Sequence, residues 1–183
     1  PMDALLIRHA ASSGQAPEAP LAPEGYAQAQ ALVPCLQALG AGPLYASPYT
    51  RAQETIAPFA EASGQGVTVL PALRERRLST ADLPDWQDHI RRSFDDPDHA
   101  AEGGESHNDL RRRAAKALAQ IARRGGDRPA FVTHGGMTAA LFSACDASFG
   151  FDDWRSLRNP DVFAVAIEDG VILSFTRLEE TRP

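Results

Sequence analysis

The chain has 183 residues, 43% of them apolar, which is enough for one full hydrophobic core. Its formal net charge of −6 argues against nucleic acid as a partner, because nucleic acids bind basic surfaces. The two cysteines, Cys35 and Cys145, have no C-x-x-C spacing and indicate neither a disulfide framework nor a zinc site. The first apolar run is too short for a signal peptide or a membrane span, so we expect a cytoplasmic protein with no membrane partner.

Strands and helices are predicted to alternate along the first half of the chain. The predicted strand at 3–8 has a continuous apolar run at 4–7 rather than an alternating pattern, as expected of a parallel strand covered on both faces. Helices are predicted at 24–39 and 49–63, because each periodic stretch ends at glycines. Short strands are predicted at 44–46 and 67–70, one after each helix.

The segment at 76–105 differs in character from the rest of the chain. It is polar, it contains Pro84 and Pro97, and it carries eight acidic residues against four arginines. This composition predicts a lid-like insertion. Trp86 within it, together with His89 and Phe94, either faces a ligand or packs inside the lid.

Ser106 and Asp109 read as a capping box that opens a helix reaching about Arg124. The other predicted elements are a strand, a helix and two strands of a hairpin around Asp169-Gly170, at 129–133, 136–147, 162–167 and 171–176. Alternating strands and helices predict an α/β fold, a three-layer α/β/α sandwich with a mainly parallel sheet and an antiparallel edge. We expect one domain over residues 1–183.

Several polar side chains are predicted at the carboxyl ends of strands, where α/β sheets bind their ligands. Arg8 and His9 follow the first strand, Ser47 follows the second, and His134 follows the strand at 129–133. Imidazole can attack phosphorus, and guanidinium offers a planar fork of donors to phosphate oxygens. Together with Arg51, at the start of the helix after Ser47, these residues suit a phosphoryl group.

Four sequence blocks carry a resemblance to a known family. They are L-I-R-H-A at 6–10, L-A-P-E-G-Y-A-Q-A at 21–29, S-P-Y-T-R-A-Q-E-T at 47–55 and T-H-G-G at 133–136. In this order and spacing they resemble the histidine phosphatase superfamily, which includes the cofactor-dependent phosphoglycerate mutases. The resemblance implies a phosphoglycerate mutase-like fold.

The same resemblance implies roles for the residues that match its motifs. His9 would be the nucleophile and form a phosphohistidine that water hydrolyses. Arg8 and Arg51 would bind the phosphoryl oxygens and stabilise the transition state. His134 would be the second catalytic histidine and contact the phosphate, and Gly135 lets backbone N–H groups approach an anion at the start of the next helix.

Two roles are less closely fixed by the motifs. The leaving oxygen needs a proton, and Glu75, in a stretch that starts like the family's L-x-E-x-x-x-G, is the predicted donor, with Asp82 as its substitute. Ser79 stands where the family usually has glycine. Ser12 stands where the family often has threonine, so it either binds phosphate or caps its own loop.

These features predict a metal-independent phosphomonoesterase that acts on a small phosphorylated metabolite and needs no cofactor. No acidic and histidine cluster has metal-ligand spacing, and the arginines supply the positive charge. A cofactor-dependent phosphoglycerate mutase is the nearest alternative. The acidic segment at 76–105 and the short chain argue against a mutase and for a phosphatase. The short relatives that dephosphorylate phosphohistidine proteins rank lower, and a catalytically silent phospho-ligand binder is another alternative. The sequence does not indicate the oligomeric state.

Overall fold

The structure is a computed structural model that describes residues 1–178. Within that range six strands form one mixed sheet. They are β1 Met2–Arg8, β2 Leu44–Ala46, β3 Val67–Val69, β4 Ala130–Thr133, β5 Asp161–Glu168 and β6 Val171–Arg177. Their order across the sheet is β3-β2-β4-β1-β5-β6, and the first four are parallel whereas β5 and β6 run antiparallel at one edge. The predicted fold class is confirmed.

Helices cover both faces of the sheet. They are α1 Pro23–Ala38, α2 Thr50–Ser63, α3 Trp86–Asp95, α4 His107–Arg124, α5 Gly135–Cys145 and α6 Phe151–Arg155, with a short 3-10 helix at Pro71–Leu73. Helices α1 and α2 pack together, and α4 packs against α5. In residues 1–178 no helix is both long and apolar enough to cross a bilayer.

The buried centre of strand β1, residues 4–7, is apolar at every position, and the packing of its side chains explains why. Leu5 and Ile7 belong to the hydrophobic cluster that includes the buried residues of α1 and α2, whereas Leu6 belongs to the cluster under α4 and α5. All three side chains are fully buried. Successive side chains of a strand point to opposite faces, so a central strand between two helix layers has no face for polar residues.

Two helices were not predicted from the sequence. Helix α3 lies inside the charged segment at 76–105, and α6 is a five-residue helix before β5. The apolar residues of α3, Trp86, Ile90 and Phe94, recur every four positions, which is a helical signal. The high charge of the segment obscured that signal, and one turn of α6 is too short to give any.

The predicted local signals are confirmed in detail. The Ser106 hydroxyl accepts a hydrogen bond from the Asp109 N–H at 3.0 Å, and the Asp109 carboxylate accepts one from the Ser106 N–H at 2.9 Å. Asp169 and Gly170 both have positive φ, 52° and 76°, as a two-residue type I′ turn requires.

The parallel strands bring their carboxyl ends to one edge of the sheet. Arg8 at the end of β1 pairs with Thr133 at the end of β4, and Ala46 at the end of β2 pairs with Val132. The residues that follow these three strands therefore start from neighbouring positions.

Candidate active site

His9, Ser47 and His134 lie side by side at this edge of the sheet. The ring centroids of His9 and His134 are 5.1 Å apart, with one ring edge directed at the other. Nε2 of His134 lies 2.8 Å from the Ser47 hydroxyl. His9 is 7% exposed and the other two are fully buried, so the site lies below the surface.

The hydrogen bonds of His9 define its tautomer. Nδ1 lies 2.7 Å from the carbonyl oxygen of Ala10, which can only accept, so Nδ1 carries the hydrogen. Nε2 then has a free lone pair, and it accepts a hydrogen bond from Nε of Arg51 at 3.3 Å. Burial lowers the pKa of His9 to about 3, and the neighbouring His134 and arginines act in the same direction. His9 is therefore neutral at pH 7.

The main chain around His9 is held by residues that the sequence did not indicate. The His9 carbonyl accepts a hydrogen bond from the side-chain amide of Asn159 at 3.0 Å. The Ala10 N–H donates to the hydroxyl of Thr55 at 2.9 Å. Ala10 adopts its backbone conformation without strain, because it is not among the residues with positive φ.

Arg8 and Arg51 place two guanidinium groups beside the imidazoles. Nη1 of Arg8 donates to the carbonyl of Leu157 at 2.9 Å, and Nη1 of Arg51 donates to the carbonyl of Ala16, also at 2.9 Å. Arg51 is 1% exposed. Burial lowers the pKa of both arginines, and the carboxylate of Glu75 opposes this effect.

Two buried polar atoms of the site have no hydrogen-bond partner among the described residues, Nε of Arg8 and Nδ1 of His134. The Ser47 hydroxyl accepts from the N–H of Tyr49 and lies against Nε2 of His134. In the tautomer in which this hydroxyl donates to Nε2, Nδ1 carries the hydrogen. Both unpartnered atoms are then donors, and an anion could accept from them. Burial lowers the pKa of His134 well below its ordinary value.

Glu75 lies against the N-terminus of α5, directly after His134. One carboxylate oxygen accepts from the N–H of Gly136 at 3.0 Å, and the other accepts from the N–H of Met137 at 3.1 Å and of Arg76 at 2.7 Å. The N–H groups of Gly136 and Met137 at this helix start are thus bound by a side chain of the protein, and the predicted approach of a substrate phosphate at Gly135 stays a prediction. Gly135 leaves room for Arg8, because a Cβ atom there would lie 3.1 Å from the guanidinium.

Arg111, Arg112 and Arg113 follow one another on α4, and two of them make hydrogen bonds to main-chain carbonyls inside the protein. Arg113 donates to the carbonyls of Arg74 and Glu75 at 2.9 and 3.1 Å. Arg111 donates to the carbonyl of Ala140 at 2.7 Å. Their α4 neighbour Arg112 does project outward, with 69% of its side chain exposed.

The other candidates are less closely tied to the histidines. The Ser12 hydroxyl donates to the Gly14 carbonyl at 2.9 Å, as a loop cap would, and its contact with phosphate stays a prediction. Asp82 is exposed and lines a wide depression at the mouth of the site, whereas Glu75 lies inside. Among residues 1–178 no group of three or more His, Cys, Asp or Glu side chains could hold a metal ion.

Of the three residues in the segment at 76–105 that were singled out in the sequence, Trp86 alone lines the cavity beside Glu75. Phe94 packs edge-on against His107, with ring centroids 5.1 Å apart. His89 forms a 2.9 Å contact between its Nδ1 and Nε2 of His99.

Solved structures share this fold. Bacillus stearothermophilus YhfR is 25% identical, with a TM-score of 0.72 and 94% of each chain covered. A mycobacterial glucosyl-3-phosphoglycerate phosphatase with bound inorganic phosphate is 23% identical, with a TM-score of 0.74 over 97% of this chain and 95% of that one. A phosphoserine phosphatase mutant from Entamoeba histolytica is 18% identical, with a TM-score of 0.74 and 96% of each chain covered.

Sequence comparison is decisive for the family. No curated protein matches the chain significantly. The sequence model of the histidine phosphatase superfamily (branch 1), however, matches residues 4–171, a range that includes the four motif blocks and every candidate residue named above. The chain therefore belongs to the histidine phosphatase superfamily (branch 1).

Proposed function

We propose that the protein is a metal-independent phosphomonoesterase that works through a phosphohistidine at His9. The observation that carries the proposal is the state of the His9 ring. Its Nδ1–H is bound by the Ala10 carbonyl, and its Nε2 lone pair lies 3.3 Å from a guanidinium of Arg51. A neutral imidazole with its free nitrogen beside a cation is a nucleophile aimed at an anionic group.

In the first step the Nε2 lone pair of His9 attacks phosphorus, and the bond between phosphorus and the ester oxygen breaks. Arg8 and Arg51 neutralise the negative charge on the phosphoryl oxygens. The unpartnered Nε of Arg8 is one donor for those oxygens, and Nδ1 of His134 is the other in the tautomer described above. Gly135, which has no side chain, leaves that guanidinium room beside the site.

Glu75 supplies the proton that the leaving oxygen takes up. In the second step a water molecule attacks the phosphohistidine, Glu75 accepts the proton of that water, and inorganic phosphate and neutral His9 are regenerated. The position of Glu75 on the N–H groups of Gly136 and Met137, next to His134, supports this role over that of the exposed Asp82.

The similar solved structures support a small phosphorylated substrate. The mycobacterial phosphatase binds inorganic phosphate and VO3, and the Entamoeba histolytica phosphatase mutant binds phosphoserine. We extend this ligand class to the present chain, with the segment at 76–105 as a lid over the site and no cofactor in the reaction.

The proposal is tested by rapid quenching with a phosphate ester labelled on phosphorus. A phosphoryl group on imidazole is labile in acid and stable in base, and we expect such a protein-bound label in the wild type and none in His9→Ala. Label that survives acid, or that persists in the variant, would assign the nucleophile to another residue. Absence of turnover of p-nitrophenyl phosphate would instead favour a silent phospho-ligand binder.

The same preparation separates the phosphatase from a phosphoglycerate mutase. A mutase primed with 2,3-bisphosphoglycerate would convert 3-phosphoglycerate to its 2-isomer without release of phosphate. We expect release of inorganic phosphate as the dominant reaction of any accepted ester.

A further inference from the structure

A cavity of about 170 Å³ opens beside the proposed proton donor, and we call it the side pocket. Glu75 and Gly136 form its catalytic end, and its walls include Leu78, Trp86, Ile90 and Trp154. We propose that the side pocket binds the alcohol part of the substrate and that this part is an apolar group about the size of one six-membered ring. The inference rests on the proposed function, because it names the substrate class of the same site.

The position of the side pocket fits the leaving group. The Glu75 carboxylate is held by the N–H of Gly136, two residues after His134, and the His134 ring is 5.1 Å from that of His9. A phosphoryl group between the two histidines would direct its ester oxygen toward Glu75. The carbon attached to that oxygen would then enter the side pocket.

Most of the walls of the side pocket are apolar, and they include two tryptophans, whereas Gln15, Arg76 and His107 are the polar lining residues besides Glu75. Trp86 from α3 and Trp154 from α6 meet edge-to-face, with ring centroids 6.5 Å apart, and Ile90 lies one helical turn after Trp86. Trp86 remains 43% exposed, which is unusual for so large an apolar side chain. A ring that entered the side pocket would cover this surface and stack against indole.

The size of the side pocket limits the group that it can hold. An apolar cavity of about 150 Å³ inside a protein binds benzene. The side pocket, at about 170 Å³, therefore accommodates one six-membered ring with its linking carbon.

The charged groups at the side pocket do not favour a second anion. Arg76 is already engaged, because its Nε donates to the Glu105 carbonyl at 2.9 Å and its Nη2 donates to the Ser93 hydroxyl at 2.8 Å. It also lies beside the carboxylates of Glu75 and Glu105. His107, at the far wall, is buried and neutral at pH 7, because burial lowers its pKa to about 3. A substrate with a carboxylate or a second phosphate would gain little from these groups.

The experiment compares phosphate esters that all release a primary alcohol, so that leaving-group chemistry is matched. Benzyl phosphate and cyclohexylmethyl phosphate are tested against glycerol 1-phosphate, phosphoserine and 3-phosphoglycerate. We expect kcat/KM to favour the two ring esters by about 10-fold or more, since burial of a ring is worth at least that factor. Equal or better turnover of the polar esters would overturn the inference and leave the phosphatase proposal intact. No turnover of any ester, p-nitrophenyl phosphate included, would overturn the phosphatase proposal itself.

A variant locates the effect in the side pocket. Trp86→Ala removes an exposed wall residue, so the fold should be retained, and kcat/KM for benzyl phosphate should fall about 10-fold through the loss of ring stacking. Ethyl phosphate, which cannot reach the wall, should change by less than about twofold. Val171→Ala, at an exposed residue of β6, is the control and should change neither ester. Equal losses on benzyl and ethyl phosphate would mean that Trp86 acts on the structure of the lid, and the inference would be wrong.

Discussion

Arg113 of α4 donates a hydrogen bond from Nη2 to the main-chain carbonyl of Glu75 at 3.1 Å. Its other bonds go to the carbonyls of Ala72 and Arg74 and to both carboxylate oxygens of Glu105. Five contacts match the five N–H groups of a guanidinium. A partly buried arginine thus fixes the segment that carries the proposed proton donor, without touching the reacting atoms.

Glu105, the carboxylate partner of Arg113, has a lowered pKa because of the same hydrogen bonds. Burial raises the pKa of Glu105, but hydrogen bonds from Arg113 and from the Arg77 N–H together outweigh it, so the pKa lies below its ordinary value. Glu105 is therefore ionised at neutral pH. Glu105 thus joins the end of the segment at 76–105 to its start, because its carboxylate binds both Arg113 and the N–H of Arg77.

The first prediction concerns Arg113→Lys. An ammonium group cannot make the five bonds of the guanidinium, so some of these carbonyls lose their donor. We expect the free energy of unfolding to fall by about 1–3 kcal/mol, the range for buried polar groups left unpaired. We also expect kcat for an alkyl phosphate to fall more than KM rises, because Glu75 is displaced from the leaving oxygen.

Arg112→Lys is the matched control for this prediction, because Arg112 precedes Arg113 and is mostly exposed. That variant should alter stability by less than about 0.5 kcal/mol, as exposed substitutions usually do. Urea unfolding and steady-state kinetics on both variants make the comparison. Similar behaviour of the two variants would refute a positioning role for Arg113.

A second prediction addresses Arg51. Its Nε contacts the proposed nucleophile, and its contact with the phosphoryl oxygens should strengthen as charge develops in the transition state. Arg51→Ala should therefore lower kcat/KM by about 10²-fold or more, with a loss in kcat as well as a rise in KM. Arg124→Ala, at the end of α4, is the control. Near-normal kinetics of Arg51→Ala would show that the guanidinium serves the fold alone.

The third prediction separates the chemical role of Glu75 from its structural one. In Glu75→Gln an amide NH2 replaces one of two accepting oxygens, so the local hydrogen bonds to Gly136 and Met137 are disturbed for every substrate. Loss of the proton, in contrast, matters for an alkoxide and hardly for p-nitrophenolate. We expect a loss of about 10²–10⁴-fold toward an alkyl phosphate and a much smaller one in the burst phase with p-nitrophenyl phosphate.

Burst-phase kinetics are needed for that comparison, because hydrolysis of the phosphoenzyme also uses Glu75 and would reduce steady-state rates on both substrates. Asp82→Asn is the control, and it should behave as the wild type. Equal losses on the two substrates in Glu75→Gln, or a selective loss in Asp82→Asn, would transfer the acid role away from Glu75.

The fourth prediction concerns stability against pH. His107 is buried, and burial lowers its pKa to about 3, with a further contribution from Arg76 and Arg111. In the unfolded chain a histidine titrates near pH ~6.5. As the pH falls from there toward the folded value, the unfolded chain binds one more proton than the native protein, so the free energy of unfolding decreases.

His107→Phe keeps the edge-on contact with Phe94 and removes both this proton uptake and the unpartnered Nδ1. We expect no loss of stability at pH 7. Between pH ~6 and pH ~4 we expect a slope of stability against pH that is smaller by up to about 1.4 kcal/mol per unit. His9 and His134 have lowered pKa values as well, so a slope should remain. Denaturant unfolding at several pH values measures it, and an unchanged slope would contradict the assignment.

The last prediction follows from the use of guanidinium groups as the source of positive charge. Exhaustive chelation should leave activity unchanged, whereas vanadate should inhibit, because its five-coordinate adduct resembles the transition state. Activity that is lost on chelation and restored by a divalent ion would contradict the proposal that Arg8 and Arg51 suffice.

Local signals in the sequence were enough for the strands, for all helices except α3 and α6, and for the motif residues. The apolar run before His9, the capping box at Ser106 and the turn at Asp169-Gly170 each depend on neighbours within a few positions, so they could be recognised directly. Because parallel strands end at one edge, the same reasoning also predicted that His9 and His134 would meet.

Only the tertiary structure decided which groups, distant along the chain, hold each of these residues in place. Arg8 is anchored on the Leu157 carbonyl, 149 positions away, and the Glu75 main chain is anchored by Arg113, 38 positions away. Helix α3 and the side pocket depend in the same way on contacts with α6. A guanidinium or a tryptophan has no local signature for a partner that is distant along the chain. The physical reason is that these hydrogen bonds and ring contacts exist only after the strands and helices have packed.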